Sequence, residues 1–218
     1  MRQRIKKVAT DLLIRKGFRG ASYGDIASAL GITTTNIHYH FGPKKKLVEE
    51  VLREYVDGAL ARHRKIWQDP EANLSEKLDG VVAFNMERHR KFNRAGIGGR
   101  PWSLIGRLRL ESDLLSPNAR EALADFSIYV HEYVLAAVVA ARDKGELRPD
   151  SPVDDIAFLL TSIVNTSSTF TQEAGSIDRL EAYFRTVARM LTSAYAAVDE
   201  AQENNPSETP PRLARSPS

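Results

Sequence analysis

The chain has 218 residues, of which 42% are hydrophobic and 27% charged, with a formal net charge of +3 at pH 7. This composition is globular, and the length allows one large or two small domains. Because the chain contains no cysteine, disulfides, thiolate metal sites and cysteine nucleophiles are excluded. No apolar run approaches the roughly 18 residues that cross a membrane, and the N-terminus lacks the apolar stretch of a signal peptide. We therefore expect a cytoplasmic protein with no membrane partner.

The charge is divided unevenly along the chain. Residues 1–46 contain ten Lys or Arg and two Asp, a formal charge of +8, so residues 47–218 carry −5. We call residues 1–46 the head and residues 47–198 the body. A basic head on a mildly acidic body is typical of a protein that binds phosphates.

The head predicts three helices. An amphipathic first helix ends near Gly17, and Ser22 then caps a second helix, with Asp25 in capping-box position. Gly31 is suited to the left-handed conformation that ends a helix, and Thr33 caps a third. This third helix is polar on its outer side, as in a helix that lies in the major groove of DNA.

The body predicts helices only, because no sustained alternation of apolar and polar residues indicates a strand. The pattern favours helices over 44–67, 74–92, 102–115, 118–144, 153–174 and 177–197, with a loop at 95–101 and Ser176 as the last cap. Residues 199–218 contain four prolines among polar residues and are predicted to be a disordered tail. The fold class is thus all-α, with about nine helices.

The run 31–41, followed by Pro43 and three lysines, resembles the DNA-binding end of the tetracycline-repressor (TetR) family. That family ends its recognition helix on a Y-x-H-F-like pattern, and a lysine opens the next helix. Tyr39, His40 and Phe41 supply the Y-H-F part, and His38 stands where many members have an aromatic residue. The specific resemblance covers about the first 50 residues; beyond them only the helical layout and the length agree.

The resemblance implies a three-helix DNA-binding head and a six-helix body that binds a ligand and dimerises. The homodimer would bind a double-stranded, palindromic DNA operator, most simply as a repressor, and an unidentified small-molecule effector would release it. No cofactor and no enzymatic activity are implied. An all-α enzyme and an architectural protein that binds DNA without sequence choice are the competing interpretations.

The residues that would contact DNA lie on the second and third helices and at the start of the fourth. They are Ser22, Tyr23, Thr33, Thr34, Thr35, Asn36, His38, Tyr39, His40 and Lys44. By the resemblance, the two threonines at 34 and 35 and His38 would face bases, and Tyr39 and His40 would mostly contact phosphates. Ser22 and Tyr23 would contact the DNA backbone, and Lys44 matches the family's phosphate-binding lysine. Asn36 would either bind adenine or help to cap its own helix.

A metal site at the two histidines of the third helix is not expected. His38 and His40 are two residues apart, which puts them on opposite sides of a helix, so they cannot bind one ion together.

The body has two predicted sites. The last two helices would form the dimer interface, through Thr166 and apolar residues at helical spacing. The alternative is that these residues pack only within the subunit. They are Leu159, Ile163, Thr166, Phe170, Leu180, Tyr183, Phe184, Val187, Met190 and Leu191. The middle helices would line a ligand pocket, or would be plain core: Trp67, Phe84, Arg88, His89, Trp102, Arg107, Phe126, Tyr129 and Tyr133. Residues 88–94 with Arg100, Arg107 and Arg109 form a basic cluster, which is either a solvated helix face or the site of an anionic effector.

Overall fold

A computed structural model of the chain describes residues 1–93, 99–174 and 177–197. Within these ranges the chain forms nine helices: α1 (Arg2–Gly20), α2 (Tyr23–Leu30), α3 (Thr34–Phe41), α4 (Lys44–Trp67), α5 (Leu74–Phe92), α6 (Leu104–Arg109), α7 (Pro117–Asp143), α8 (Val153–Ala174) and α9 (Ile177–Tyr195). The all-α fold is confirmed. The predicted helix over 102–115 is instead the short α6 and a separate 3₁₀ turn, Ser112–Leu114. The predicted cap Ser176, the tail 199–218 and most of the predicted loop lie outside the described residues.

The head folds around its caps. The Ser22 hydroxyl accepts the Asp25 N–H and the Asp25 carboxylate accepts the Ser22 N–H, a complete capping box at the start of α2. The hydrogen bond from Lys16, and then those from Ser22, lower the pKa of Asp25 to about 2. Gly31 ends α2 at φ 64°, a left-handed conformation that non-glycine residues rarely adopt. Helix α3 follows at once because Thr33 caps it.

The body is built on the packing of α4 against α7, with α8 covering the other side of α7 and α9 bridging α5 and α8. Arg53 of α4 and Asp125 of α7 form an ion pair at 2.6 Å across the first contact. Among the described residues, α7 is long and apolar enough to span a membrane by length and composition alone. Its buried residues instead form part of the core between α4 and α8, as in core helices of soluble proteins that pass the same test.

The head is attached to the body along α4 and through contacts of α1 with α5 and α6, such as the ion pair of Asp11 with Lys91 at 3.3 Å. Helix α4 runs through the predicted boundary at residue 46 without a break. The end of α1 meets α6, where α1 is interrupted at Gly17, which has φ 73°. There the N–H groups of Phe18 and Arg19 donate to the Glu111 carboxylate, and Arg107 pairs with Glu111 at 3.5 Å.

Candidate functional site

The outer surface of α3 is polar and exposed. Thr34 and Thr35 are exposed, and Tyr39 is 84% exposed although it is a large aromatic side chain. Ile37 and Phe41 point the other way and are buried in the core of the head. The helix therefore presents hydroxyl groups to solvent and anchors itself through two apolar side chains, as a groove-binding helix requires.

The carbonyl of Gly42, just after α3, organises two of the predicted contact residues. The Tyr23 hydroxyl donates to this oxygen at 3.0 Å, and His38 Nδ1 lies 3.1 Å from it. The two rings meet edge to face at 4.7 Å. Tyr23 is only 8% exposed, and burial raises the pKa of its hydroxyl. The Tyr23 side chain therefore holds α2 against the end of α3, and its contact with the DNA backbone stays a prediction.

The other predicted DNA-contact residues of the head either cap a helix or lie partly exposed. Thr33 accepts the Asn36 N–H at 3.2 Å, so its hydroxyl caps α3. Asn36 is half-buried, and its Oδ1 has no hydrogen-bond partner in the described part of the chain. Ser22 is exposed and engaged in its capping box, and His40 is half-buried with its ring against Tyr39. Neither alternative for Asn36, base contact or capping by its side chain, is resolved by these contacts.

Lys44, the predicted phosphate ligand, directs its ammonium group towards the end of α1. Its Nζ donates to the carbonyl oxygens of Phe18 at 2.5 Å and Ala21 at 2.7 Å, and it lies over the Phe18 ring. Burial lowers the pKa of this ammonium. The charge of Lys44 is thus already used to hold the end of α1. What remains for a phosphate at this point is the N-terminus of α4, which has no side-chain cap.

The positive charge of the head is partly neutralised within the chain. Arg2 pairs with Glu50, and Lys6 pairs with Glu54, so these two side chains contact α4. Arg4, Lys7 and Lys45 are exposed and form no ion pair with any described residue. These three cations remain available for an anionic partner.

A cavity of about 30 Å³ lies between α4, α5, α6, α7 and α8. Four predicted ligand residues line it: Phe84, Arg88, Trp102 and Phe126. The other five do not. Trp67 is buried in a different place, at the end of α4, and His89 is buried with its ring near that of Trp102. Tyr129 is 44% exposed, Tyr133 is half-buried, and Arg107 pairs with Glu111. A groove of about 440 Å³ between α5 and α9 is larger, but it is open to solvent and contains charges of both signs.

The predictions missed several polar residues that line the cavity. His63 on α4 and Asn85 on α5 are 3% and 6% exposed, and Asn165 on α8 completes the set. Arg109, which the sequence analysis placed in the basic cluster, also lines the cavity. Burial lowers the pKa of His63 to about 4, so this histidine is neutral at physiological pH. A signal was present in the sequence, because His63 and Asn85 fall at core positions of helices whose core residues are mostly apolar.

The predicted dimer residues separate into two groups. Ile163, Leu180, Phe184, Val187 and Leu191 are buried within the chain, and for them the prediction is corrected, since α8 and α9 pack on the rest of the subunit through these side chains. Leu159, Thr166, Tyr183 and Met190 are exposed, and Phe170 is half-buried with its ring stacked on Tyr183 at 5.2 Å. The sequence prediction did not include Phe158, which is 70% exposed on the same helix.

Sequence comparisons identify relatives of the head. Residues 5–51 match the sequence model of the family described as "Bacterial regulatory proteins, tetR family". The HTH-type transcriptional repressor KstR2 of Mycobacterium tuberculosis is 33% identical over 86 residues, which are 39% of this chain and 42% of KstR2. The matched stretch thus spans less than half of that relative. The HTH-type transcriptional regulator UidR of Escherichia coli is 24% identical over 151 residues, 68% of this chain and 70% of UidR.

Solved structures share the fold over nearly the whole chain. The reduced form of Escherichia coli NemR superimposes with a TM-score of 0.71 at 18% identity, over 90% of this chain and 99% of NemR. The ketosteroid transcriptional regulator KstR2 of Mycobacterium tuberculosis superimposes with a TM-score of 0.63 at 20% identity, over 90% of this chain and 95% of KstR2. At these identities the likeness extends to the fold alone.

Proposed function

We propose that this chain is a transcriptional regulator of the TetR type, similar over residues 5–51 to bacterial regulatory proteins of that family, and that it binds double-stranded DNA through its head. The observation that carries the proposal is the exposed polar outer face of α3, held by a capped helix pair inside the matched range 5–51. Thr34 and Thr35 would contact base edges in the major groove. The exposed ring of His38 would face bases as well, and Tyr39 would contact a phosphate.

Phosphate contacts would be supplied around this helix by groups that the chain leaves free. The uncapped N-terminus of α4 offers backbone N–H groups to an anion beside the end of α3. Arg4, Lys7 and Lys45 add positive charge that has no partner among the described residues. These contacts add affinity that is independent of sequence and weakens as salt rises.

We infer that two copies bind a palindromic operator. The exposed side chains Phe158, Leu159, Tyr183 and Met190, together with Phe170, form an apolar face on α8 and α9 that a second copy would cover. A two-fold dimer presents two α3 helices, and DNA half-sites about one helical turn apart match that symmetry. We further propose that the regulator acts in the cytoplasm as a repressor, since the curated relative KstR2 is a repressor.

Release from DNA would follow from a small molecule that enters the cavity. A volume of about 30 Å³ admits little more than a water molecule, so a larger effector has to displace a wall. Gly106 of α6 is one such wall, and it packs so closely on Ser168 of α8 that an added methyl group would overlap the serine hydroxyl. Movement of α6 would reach the head through Glu111, which binds the end of α1. The effector would thus favour a conformation with lower operator affinity.

The experiment is genomic selection of bound DNA, followed by fluorescence anisotropy with the selected duplex and a shuffled duplex. We expect preference for the palindrome and a steep loss of affinity with salt. Tyr39→Ala should weaken binding to both duplexes, and Thr35→Ala should reduce the preference by about tenfold. Tyr129→Ala, an exposed tyrosine of the body, is the matched control and should leave both affinities unchanged.

Two outcomes would favour the competing interpretations. Equal affinity for the two duplexes would favour an architectural DNA-binding protein. Absence of salt-dependent DNA binding would leave an all-α enzyme as the better description.

A further inference from the structure

The cavity in the body is lined by cations without anions. Arg88 of α5 and Arg109 of α6 both face it, and no Asp or Glu is among the described residues that line it. Two positive charges that share a small space repel one another unless an anion or strong acceptors lie between them.

Arg88 has aromatic neighbours but no acceptor. Its guanidinium carbon lies 4.4 Å from the centre of the Tyr55 ring and 5.2 Å from that of Phe84. The described part of the chain supplies it with neither a hydrogen bond nor an ion pair. Burial lowers its pKa to about 10, which still leaves it charged at neutral pH. The Arg88 side chain is half-buried, and its guanidinium brings five N–H donors to the cavity without a described acceptor.

Arg109 is satisfied only by neutral groups. Its guanidinium donates to the backbone oxygen and to Oδ1 of Asn165, both at 3.1 Å, and to the Ser127 hydroxyl at 2.7 Å. These contacts fix its position, while its charge is not balanced by any described carboxylate. Arg109 therefore adds a positive electrostatic potential to the cavity that it lines.

Besides Arg88, the amide of Asn85 at the same cavity has a donor without an acceptor. Asn85, one helical turn before Arg88 on α5, is 6% exposed, and its Nδ2 is buried with no partner among the described residues. A buried amide donor and a half-buried guanidinium that line one cavity without described acceptors favour a ligand with negative charge there. Since His63 is neutral there, it adds no competing charge.

We propose that this cavity binds the carboxylate of a small organic acid, with Arg88 as its main ligand and Asn85 as a second donor. The present volume is about that of a carboxylate group, and the walls Phe84, Trp102 and Phe126 favour an aromatic or alicyclic body on the acid. The guanidinium plane offers the two parallel N–H groups that a carboxylate accepts. That the acid acts as the effector rests on the proposed regulatory function; that it binds does not.

The test uses the full-length protein without DNA and five probes: acetate, benzoate, acetamide, benzamide and inorganic phosphate. Trp102 lines the cavity and is one of two tryptophans in the chain, so its fluorescence should report binding. We expect saturable binding of benzoate, weaker binding of acetate and none of the two amides. Arg88→Met should weaken benzoate at least about 30-fold, because a buried charge partner is lost. Arg90→Met, an exposed arginine on the same helix, is the matched control and should bind as the parent protein does.

The outcomes separate cleanly. Benzamide binding as tightly as benzoate, no binding of either acid, or full benzoate affinity in Arg88→Met would each overturn the proposal. Inorganic phosphate binding in preference to benzoate would overturn the choice of a carboxylate. Circular dichroism checks that the variant is folded, and Arg88→Lys, which keeps a charge but loses the fork, should retain part of the affinity. If benzoate binds through Arg88 but does not release the operator, or no operator is found, only the regulatory proposal fails.

Discussion

His63 should make the fold sensitive to acid. Its ring is 3% exposed and lies at 5.5 Å from the Phe84 ring and 5.6 Å from the Phe126 ring, and burial lowers its pKa from 6.5 to about 4. Between these two values the unfolded chain binds a proton at this residue and the folded chain does not. The free energy of unfolding therefore falls as the pH falls through this window. The difference of about 2.5 pKa units corresponds to a loss of about 3 kcal/mol once the pH is below both values.

The assay is urea unfolding followed by circular dichroism at pH 7 and pH 4.5, at one protein concentration. His63→Phe and His63→Asn both remove the titrating group, although they differ in how well they pack between the two aromatic rings. The parent protein should lose about 2 kcal/mol more than either variant between the two pH values. Equal losses in the parent and both variants would refute the reasoning, because they would show that His63 takes up its proton equally in both states.

Three further predictions concern the contacts of Lys44 in the head, the exposed apolar face of the body, and the contact of Glu111 with the end of α1. Lys44→Met removes the ammonium group that two backbone carbonyls accept, so urea unfolding should show a loss of about 1–3 kcal/mol; an unchanged midpoint would contradict this. Phe158→Glu places a charge in the exposed apolar face, so light scattering should show a dimer converted to monomers, and a persistent dimer would exclude this face. Glu111→Gln removes the charged acceptor of the Phe18 and Arg19 N–H groups, so the hydrogen exchange of these two amides should accelerate by about tenfold. An unchanged exchange rate would show that Glu111 does not hold the end of α1.

The local features of the head could be predicted from the sequence because they depend on residues close together in the chain. The capping box of Ser22 and Asp25, the left-handed Gly31 and the cap Thr33 all involve partners within four residues. Such contacts form whatever the rest of the fold does. This is also why the all-α class and the number of helices followed from periodicity.

The roles of single polar side chains could not be predicted in this way, because their partners are distant in the chain. Tyr23 binds the carbonyl of Gly42, and Lys44 binds carbonyls at the end of α1, more than 20 residues away. Periodicity places a residue on a helix face but does not say which neighbour that face meets. The same reason explains the dimer prediction, since spacing alone does not distinguish the buried Phe184 from the exposed Tyr183.

The basic cluster shows how one short helix can serve two sites. Arg107 and Arg109 are two residues apart on α6, so their side chains leave the helix in nearly opposite directions. Arg109 faces the cavity, whereas Arg107 contacts the carbonyl of Lys16 at 3.3 Å and pairs with Glu111 beside the end of α1. Because α6 is only six residues long, it has little internal freedom to absorb a displacement of its cavity face. A ligand that moves Arg109 therefore moves Arg107 with it, and the contact between body and head must rearrange.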